Sequence, residues 1–165
     1  MSQHEQLPLH PVPDAERDAA TTARLSVAGL VTNARTLTVA DLAALPRRTL
    51  TMPFTCEEGW TVPGLEWRGI PLMDVLALSQ PAAEARFVQV SAGTYSISLA
   101  LDESGESLLC DTLNGQPLTV EHGAPWRLIV PGGKCFTSVK WVQRLVLSRE
   151  PGDNSGEQIA RARLT

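Results

Sequence analysis

Apolar and polar positions alternate along most of this chain in short bursts, each closed by Gly, Pro, Asn or Asp, and that rhythm predicts strands rather than long helices. Residues 25–31 (LSVAGLV) read as a strand, and Asn33-Ala34-Arg35 as a turn into a second one at 36–38. Thr38, with Asp41 three residues later and Leu42 and Leu45 behind it, predicts a short capped helix that Pro46 stops. Residues 48–54 (RTLTMPF) predict a strand whose Pro53 marks an edge or a terminus, because proline gives no N–H to a ladder. Pro63-Gly64 predicts a turn, residues 66–70 a short strand, and residues 71–76 a helix with proline in its first turn. Residues 87–91 and 94–99 alternate around Ala92-Gly93 as a hairpin would. A brief strand at 108–112 precedes the Asn114-Gly115 turn, and residues 126–130 and 139–147 close the set. Many strands with a few short helices give an α+β class, strand-rich, with mixed or antiparallel sheets.

No internal repeat or linker divides residues 25–150, so they are expected to form one domain. Residues 1–24 mix prolines and alanines with His4, Glu5, Asp14, Glu16 and Asp18, and are expected to be a flexible tail. Breakers at 151–156 predict a C-terminal extension, residues 151–165, released to the surface. The length of 165 residues and a hydrophobic content of 43% are enough for a sizeable core.

A formal net charge of -4 supplies no broad attraction for phosphate backbones or anionic lipid, which disfavours nucleic-acid and membrane-surface partners. Any anion site must therefore be local. No segment has the length of a membrane span or the pattern of a signal peptide, and Arg47-Arg48 precedes no hydrophobic run, so the expected location is cytoplasmic.

Cys56, Cys110 and Cys135 form no CxxC pair, and His4, His10 and His122 are scattered, which argues against structural zinc and against a disulfide framework. A free cysteine is most often a small buried apolar residue, and Cys110, beside Leu108 and Leu109, fits that description. Cys56 differs: in TCEEGW it stands just past a strand, beside Glu57 and Glu58. Later in the chain, HGAPWRLIVPGGKCFTSVKWV carries Arg127 and Lys140 inside apolar strands, where an unpaired charge is expensive. Either carboxylates and solvent serve these cations, or Gly132, Gly133 and Ser138 between them complete a cradle for a bound oxyanion or phosphate.

TCEEGW, W-R-G-I-P-L, and H-G-A-P-W-R-L-I-V-P-G followed by S-V-K-W together resemble the oxidoreductase molybdopterin-binding domain shared by sulfite oxidase, assimilatory nitrate reductase and the methionine-sulfoxide reductase catalytic subunit. The resemblance spans about residues 25 to 148 and implies a sulfite-oxidase-type fold. It implies a molybdenum-molybdopterin cofactor, with Cys56 as the thiolate ligand of the metal, chemistry that suits a soft sulfur. It further implies that His122, Arg127, Ser138, Val139 (through its backbone) and Lys140 hold the pterin phosphate. The pattern of Cys56, Glu58 and Trp60 is similar to the methionine-sulfoxide reductase type. Thr137 stands where sulfite- and nitrate-handling relatives have an arginine, and Asp111 where they have a tyrosine, so neither oxyanion is the expected substrate.

The activity implied by this resemblance is oxygen-atom transfer on a small substrate, with electrons from or to an external protein and with Cys56, Asp111 and Glu58 as the reacting or proton-handling groups. Cys135, where relatives have a small residue, is a filler, a second thiol near the metal, or a sign of altered cofactor fit. Two other readings stand beside this one: a binding module of the same fold without turnover, and a Cys56 nucleophile assisted by His122.

Overall fold

Leu25, Val27 and Leu37, the alternating apolar residues of the first two predicted strands, are fully buried and share one face of a sheet. The computed structural model of the protein describes residues 23–55 and 61–162, with the backbone alone at 54–55, 61–63 and 160–161. Residues 1–22 of the expected N-terminal tail lie outside the described residues.

β1 (Arg24–Gly29) runs antiparallel to β2 (Arg35–Thr38) and parallel to β10 (Arg144–Ser148), which in turn pairs with β5 (Phe87–Ala92). β6 (Tyr95–Ala100) completes a five-stranded sheet in the order β2-β1-β10-β5-β6. Its hairpin with β5 follows the predicted alternation, and Gly93 takes a positive φ of 59° at the turn. Thr38 caps α1 (Val39–Ala43) as a full capping box: its side chain accepts from the Asp41 N–H while Asp41 accepts from the Thr38 N–H.

β3 (Arg48–Thr55), β4 (Thr61–Pro71), β7 (Leu108–Leu113) and β8 (Gln116–Pro117) make the second sheet in that order, and β9 (Arg127–Ile129) also pairs with β7. Here two expectations change. Pro63-Gly64 does not turn the chain: both residues lie within β4, at a bulge between the Met52–Leu65 and Phe54–Val62 pairs. Opposite them stands Pro53, so the prolines of both strands fall where no ladder bond is required. The strand expected over 139–147 is confined to β10, because Trp141 sits at φ 57° and breaks the extended run.

A second bulge decides which side chains face inward. Arg68 pairs with Thr112 and Gly69 with Cys110, which leaves Asp111 as the extra residue of β7. Leu108 and Cys110 before the bulge and Leu113 after it therefore pack together with Leu65, Trp67, Leu118 and Ile129. The larger core unites both sheets with α2 (Leu72–Ala77) through Leu72, Val75 and Leu76. Asn114 and Gly115, both at positive φ, make the β7–β8 turn as their type predicts.

Within the expected C-terminal extension, residues 155–162 are helical. They form α3 (Ser155–Ala162), which packs on β6. No helix among the described residues is long and apolar enough to cross a membrane.

Candidate functional site

Beyond β8, Thr119 starts a single 3-10 turn, Val120–His122, by accepting from the His122 N–H at 3.3 Å. Its hydroxyl is also 3.3 Å from His122 Nδ1, which fixes the ring. Gly123 ends the turn at φ 115°, and a Cβ there would meet Arg127 Cβ at 3.1 Å and Lys140 Cβ at 3.2 Å. Glycine is required on both counts.

Donors from two later segments then bind the carbonyls of this turn one after another. Trp141 Nε1 donates to Val120 O at 2.6 Å, Lys140 Nζ to Glu121 O at 2.8 Å, Arg127 Nη1 to His122 O at 3.2 Å, and the Trp141 N–H to Gly123 O at 3.1 Å. That clamp gathers His122, Arg127 and Lys140 in one place. The positive φ at Trp141 is what lets its backbone and its indole reach the turn together.

Arg127 enters from β9 opposite Cys110 and is only 6% exposed. Its Nε donates to Ser138 Oγ at 2.8 Å, and its guanidinium carbon stands 5.3 Å from the centre of the Trp67 ring. Burial lowers it from the ordinary guanidinium range to about 10, against the opposing influence of Cys110, Tyr95 and Cys135. It remains a cation at neutral pH. Lys140 Nζ lies 5.5 Å from the centre of the Trp141 ring, so two positive groups share this small volume.

Ser138 belongs to both the cationic cluster and a cavity of about 300 Å³. Met52 and Pro53 of β3 form one wall, and residues 129–135 with Thr137 and Ser138 form the other. Pro53 is three residues before Cys56, so the strand that leads to the expected sulfur ligand reaches the cavity held by the last segments. Cys56, Glu57, Glu58 and Trp60 themselves lie outside the described residues.

The expected backbone cradle differs in detail. The Gly133 N–H is bonded to Val130 O at 3.0 Å, and the Ser138 N–H to Cys135 O at 3.0 Å. Ser138, at φ -82° and ψ 66°, is the centre of an inverse γ-turn that engages the Val139 N–H with Thr137 O at 2.9 Å. The Gly133 and Ser138 amides are thus already engaged within their own turns, which leaves side chains as the main donors of the cluster. The guanidinium, ammonium, imidazole and hydroxyl groups gathered around one turn, each buried or half-buried, match a phosphate in charge and in donor type, so the residues present fit a phosphorylated ligand.

Asp111 points elsewhere. Its Oδ2 accepts from Arg47 Nη1 at 2.5 Å and its Oδ1 from Thr112 Oγ1 at 2.9 Å, and it does not line the cavity. The bulge that displaces it from the β4 ladder makes this pairing possible. Thr137 does line the cavity, but its hydroxyl donates to Lys134 O at 2.6 Å. Cys135 lines the same wall partly buried, and Cys110 is fully buried, with burial and then Asp111 pushing its thiol well above the usual range. Residues that sequence reasoning passed over are Thr119, whose hydroxyl precedes an ordinary turn pattern, and Trp67, Trp141 and Tyr95, whose roles depend on long-range partners.

The chain matches a family model described as the oxidoreductase molybdopterin binding domain over residues 10–155. It is 32% identical over 129 residues to an uncharacterized oxidoreductase, YuiH, of Bacillus subtilis, covering 76% of this chain and 65% of that one. A putative protein-methionine-sulfoxide reductase subunit, YedZ1, of Azospira oryzae is 32% identical over 133 residues, covering 78% and 50%. An NADPH nitrate reductase of Beauveria bassiana is 32% identical over 108 residues, covering 58% of this chain and 12% of the relative. The chain thus spans less than two thirds of these relatives' lengths. Among solved structures, the sulfane dehydrogenase SoxCD from Paracoccus pantotrophus superposes with a TM-score of 0.72 at 25% identity, over 91% of this chain and 46% of that one.

Proposed function

The chain belongs to the oxidoreductase molybdopterin-binding domain family, and from that premise we propose that it is an oxidoreductase that transfers an oxygen atom to or from a small substrate. When bound, the molybdenum-molybdopterin group supplies the two-electron redox chemistry. The protein's own residues bind and orient it. Arg127, Lys140, His122 and Ser138 would hold the phosphate, with Val139 assigned to it through its backbone. Cys56 is assigned as the metal ligand, since β3 carries the chain past the cavity wall at Met52 and Pro53 just before it.

The single observation that supports this reading most is the sharing of Ser138 between the buried cation Arg127 and the cavity. It joins an anion anchor to a chamber of about 300 Å³. Proton handling is assigned to Glu58 in preference to Asp111, because the Asp111 carboxylate is engaged by Arg47. With Thr137 turned onto Lys134 O, the cavity wall presents no guanidinium at that position, which favours a substrate other than sulfite or nitrate. Electrons pass to or from an external protein, and the site lies in a chain assigned to the cytoplasm.

Elemental and pterin analysis of freshly purified protein beside Cys56→Ala and Arg127→Ala tests the assignment. Molybdenum in the wild type, lost in both variants, together with dye-coupled redox activity, is the expected result. Unchanged metal content in both variants overturns the site. A cofactor-bearing protein inactive with every dye and small oxygen donor or acceptor supports the second reading, a binding module without turnover, which the engaged states of Thr137 and Asp111 favour.

A further inference from the structure

Helix α3 lies against the turn that forms the cavity wall, and one phenol joins the two. Ser155, the first residue of α3, accepts from the Ser96 N–H at 2.9 Å and donates to Thr94 O at 2.6 Å, which occupies backbone groups on the outer edge of β6. Gly156 comes next and is buried. A Cβ on it would stand 2.7 and 2.8 Å from two ring atoms of Tyr95 and 2.9 Å from Ile97 Cγ2, so the Tyr95 ring rests directly on the helix backbone. At its other end the Tyr95 hydroxyl donates to Phe136 O at 2.6 Å. Phe136 is the middle of the 3-10 turn Cys135–Thr137, and Cys135, Thr137 and Ser138 all line the cavity.

We propose that Tyr95 is a positioning residue for the turn that carries Ser138, and that α3 is the strut that aims it. The proposal rests on the reading of Arg127 and Ser138 as a phosphate anchor. A three-residue 3-10 turn is weakly held by its own bonds, here Thr137 N–H to Lys134 O at 2.9 Å and Ser138 N–H to Cys135 O at 3.0 Å. The phenol fixes the next carbonyl along, that of Phe136. Tyr95 also lies close enough to Arg127 to favour its charged form, so phenol, turn and guanidinium form one connected unit. Losing the phenolic bond leaves every apolar contact of the ring in place, and the turn that presents Ser138 Oγ to Arg127 Nε then loses a point of attachment.

Hydrogen exchange and cysteine alkylation on the full chain test this. In cofactor-free protein, Tyr95→Phe is expected to speed exchange at the Thr137 and Ser138 amides, and iodoacetamide capture of Cys135, by on the order of fivefold, the worth of one ordinary hydrogen bond. Amides of β1 and β10 keep their wild-type rates. Gly156→Ala, which retains the hydroxyl but displaces the ring, is expected to act in the same direction. Protein purified with cofactor should retain several-fold less pterin in Tyr95→Phe. Wild-type exchange at Thr137 and Ser138 in Tyr95→Phe overturns the strut, whatever Arg127→Met does. Faster exchange with pterin kept in Tyr95→Phe but lost in Arg127→Met overturns the positioning role. Faster exchange with pterin kept in both variants leaves the strut standing and refutes the phosphate-anchor reading on which its functional meaning rests.

Discussion

Arg127 and Ser138 meet at 2.8 Å, the guanidinium Nε donating to the hydroxyl of a residue that also lines the cavity. One residue comes from an edge strand and the other from an inverse γ-turn, and neither position can shift without the other. A rigid cation beside an open chamber is preorganised for an anion, since little ordering remains to be done on binding. The two carbonyl clamps on the His122 turn extend that rigidity to Lys140.

Replacing the cation without removing its volume separates its two roles. In Arg127→Met, relief of a buried charge offsets the lost bonds to His122 O and Ser138 Oγ, so cofactor-free stability is expected to stay within about 1 kcal/mol of wild type in a urea titration. Pterin content is expected to fall at least about tenfold, because charge-assisted bonds to phosphate contribute roughly 1.5 to 3 kcal/mol each. Full pterin content in a folded Arg127→Met protein would falsify the anchor.

The same group sets a pH dependence. Burial holds Arg127 at about 10, below its ordinary value, so between the two the unfolded chain binds the extra proton. Its unfavourable contribution is therefore constant below about pH 10, and stability from this group rises as pH climbs above about 10. Anion binding runs the other way. The rise in unfolding midpoint given by inorganic pyrophosphate is expected to hold from neutral pH and to fade above about pH 10, measured in parallel on Lys140→Met to isolate the Arg127 share. Stabilisation that persists undiminished beyond that pH in the Lys140→Met protein contradicts the assignment.

Asp111 and Arg47 join β7 to the start of β3 through a contact in which each side chain is about a quarter exposed. Asp111→Asn is expected to lower stability by up to about 1 kcal/mol, the range for partly solvated pairs, and to leave pterin content unchanged. Loss of cofactor without loss of stability would show that the carboxylate acts at the site.

At Gly123, a φ of 115° disfavours any side chain, and a methyl group would press on Arg127 and Lys140 at 3.1 and 3.2 Å. Gly123→Ala is expected to cost about 1 to 3 kcal/mol in stability and to reduce pterin retention together with it. Wild-type stability in this variant would mean that the turn tolerates rearrangement and that its clamp is not rigid.

Local chemistry made much of the fold legible. The Thr38–Asp41 box, the hairpin of β5 and β6 and the Asn114-Gly115 turn each depend on residues within a few positions of one another, which a sequence displays. Pro63-Gly64 misled because the same dipeptide serves a turn or a bulge, and the register of β3 against β4 decides between them. Val139 to Gln143 looked extended because their apolar rhythm is genuine. Their backbone bonds go instead to Leu128, Gly123, Trp126 and Ser91, partners that lie 11 to 52 positions away.

Within the site, His122, Arg127, Ser138 and Lys140 were legible as a group because cations inside apolar segments demand a common explanation. The Gly133 amide, already used by its own turn, was not, and neither was the Arg47 partner of Asp111, which is 64 positions away. Tyr95 carried no signal at all: a hydroxyl on an edge strand says nothing of a carbonyl 41 residues on.

The place of β10 in the first sheet, between β1 and β5, bears on how a ribosome delivers this protein. Until Arg144–Ser148 leaves the exit tunnel, β2-β1 and β5-β6 are separate two-stranded pieces with bare edges. A nascent chain stalled before that point cannot close this sheet, so its assembly waits for β10 to emerge, and shielding by chaperones matters most in that interval.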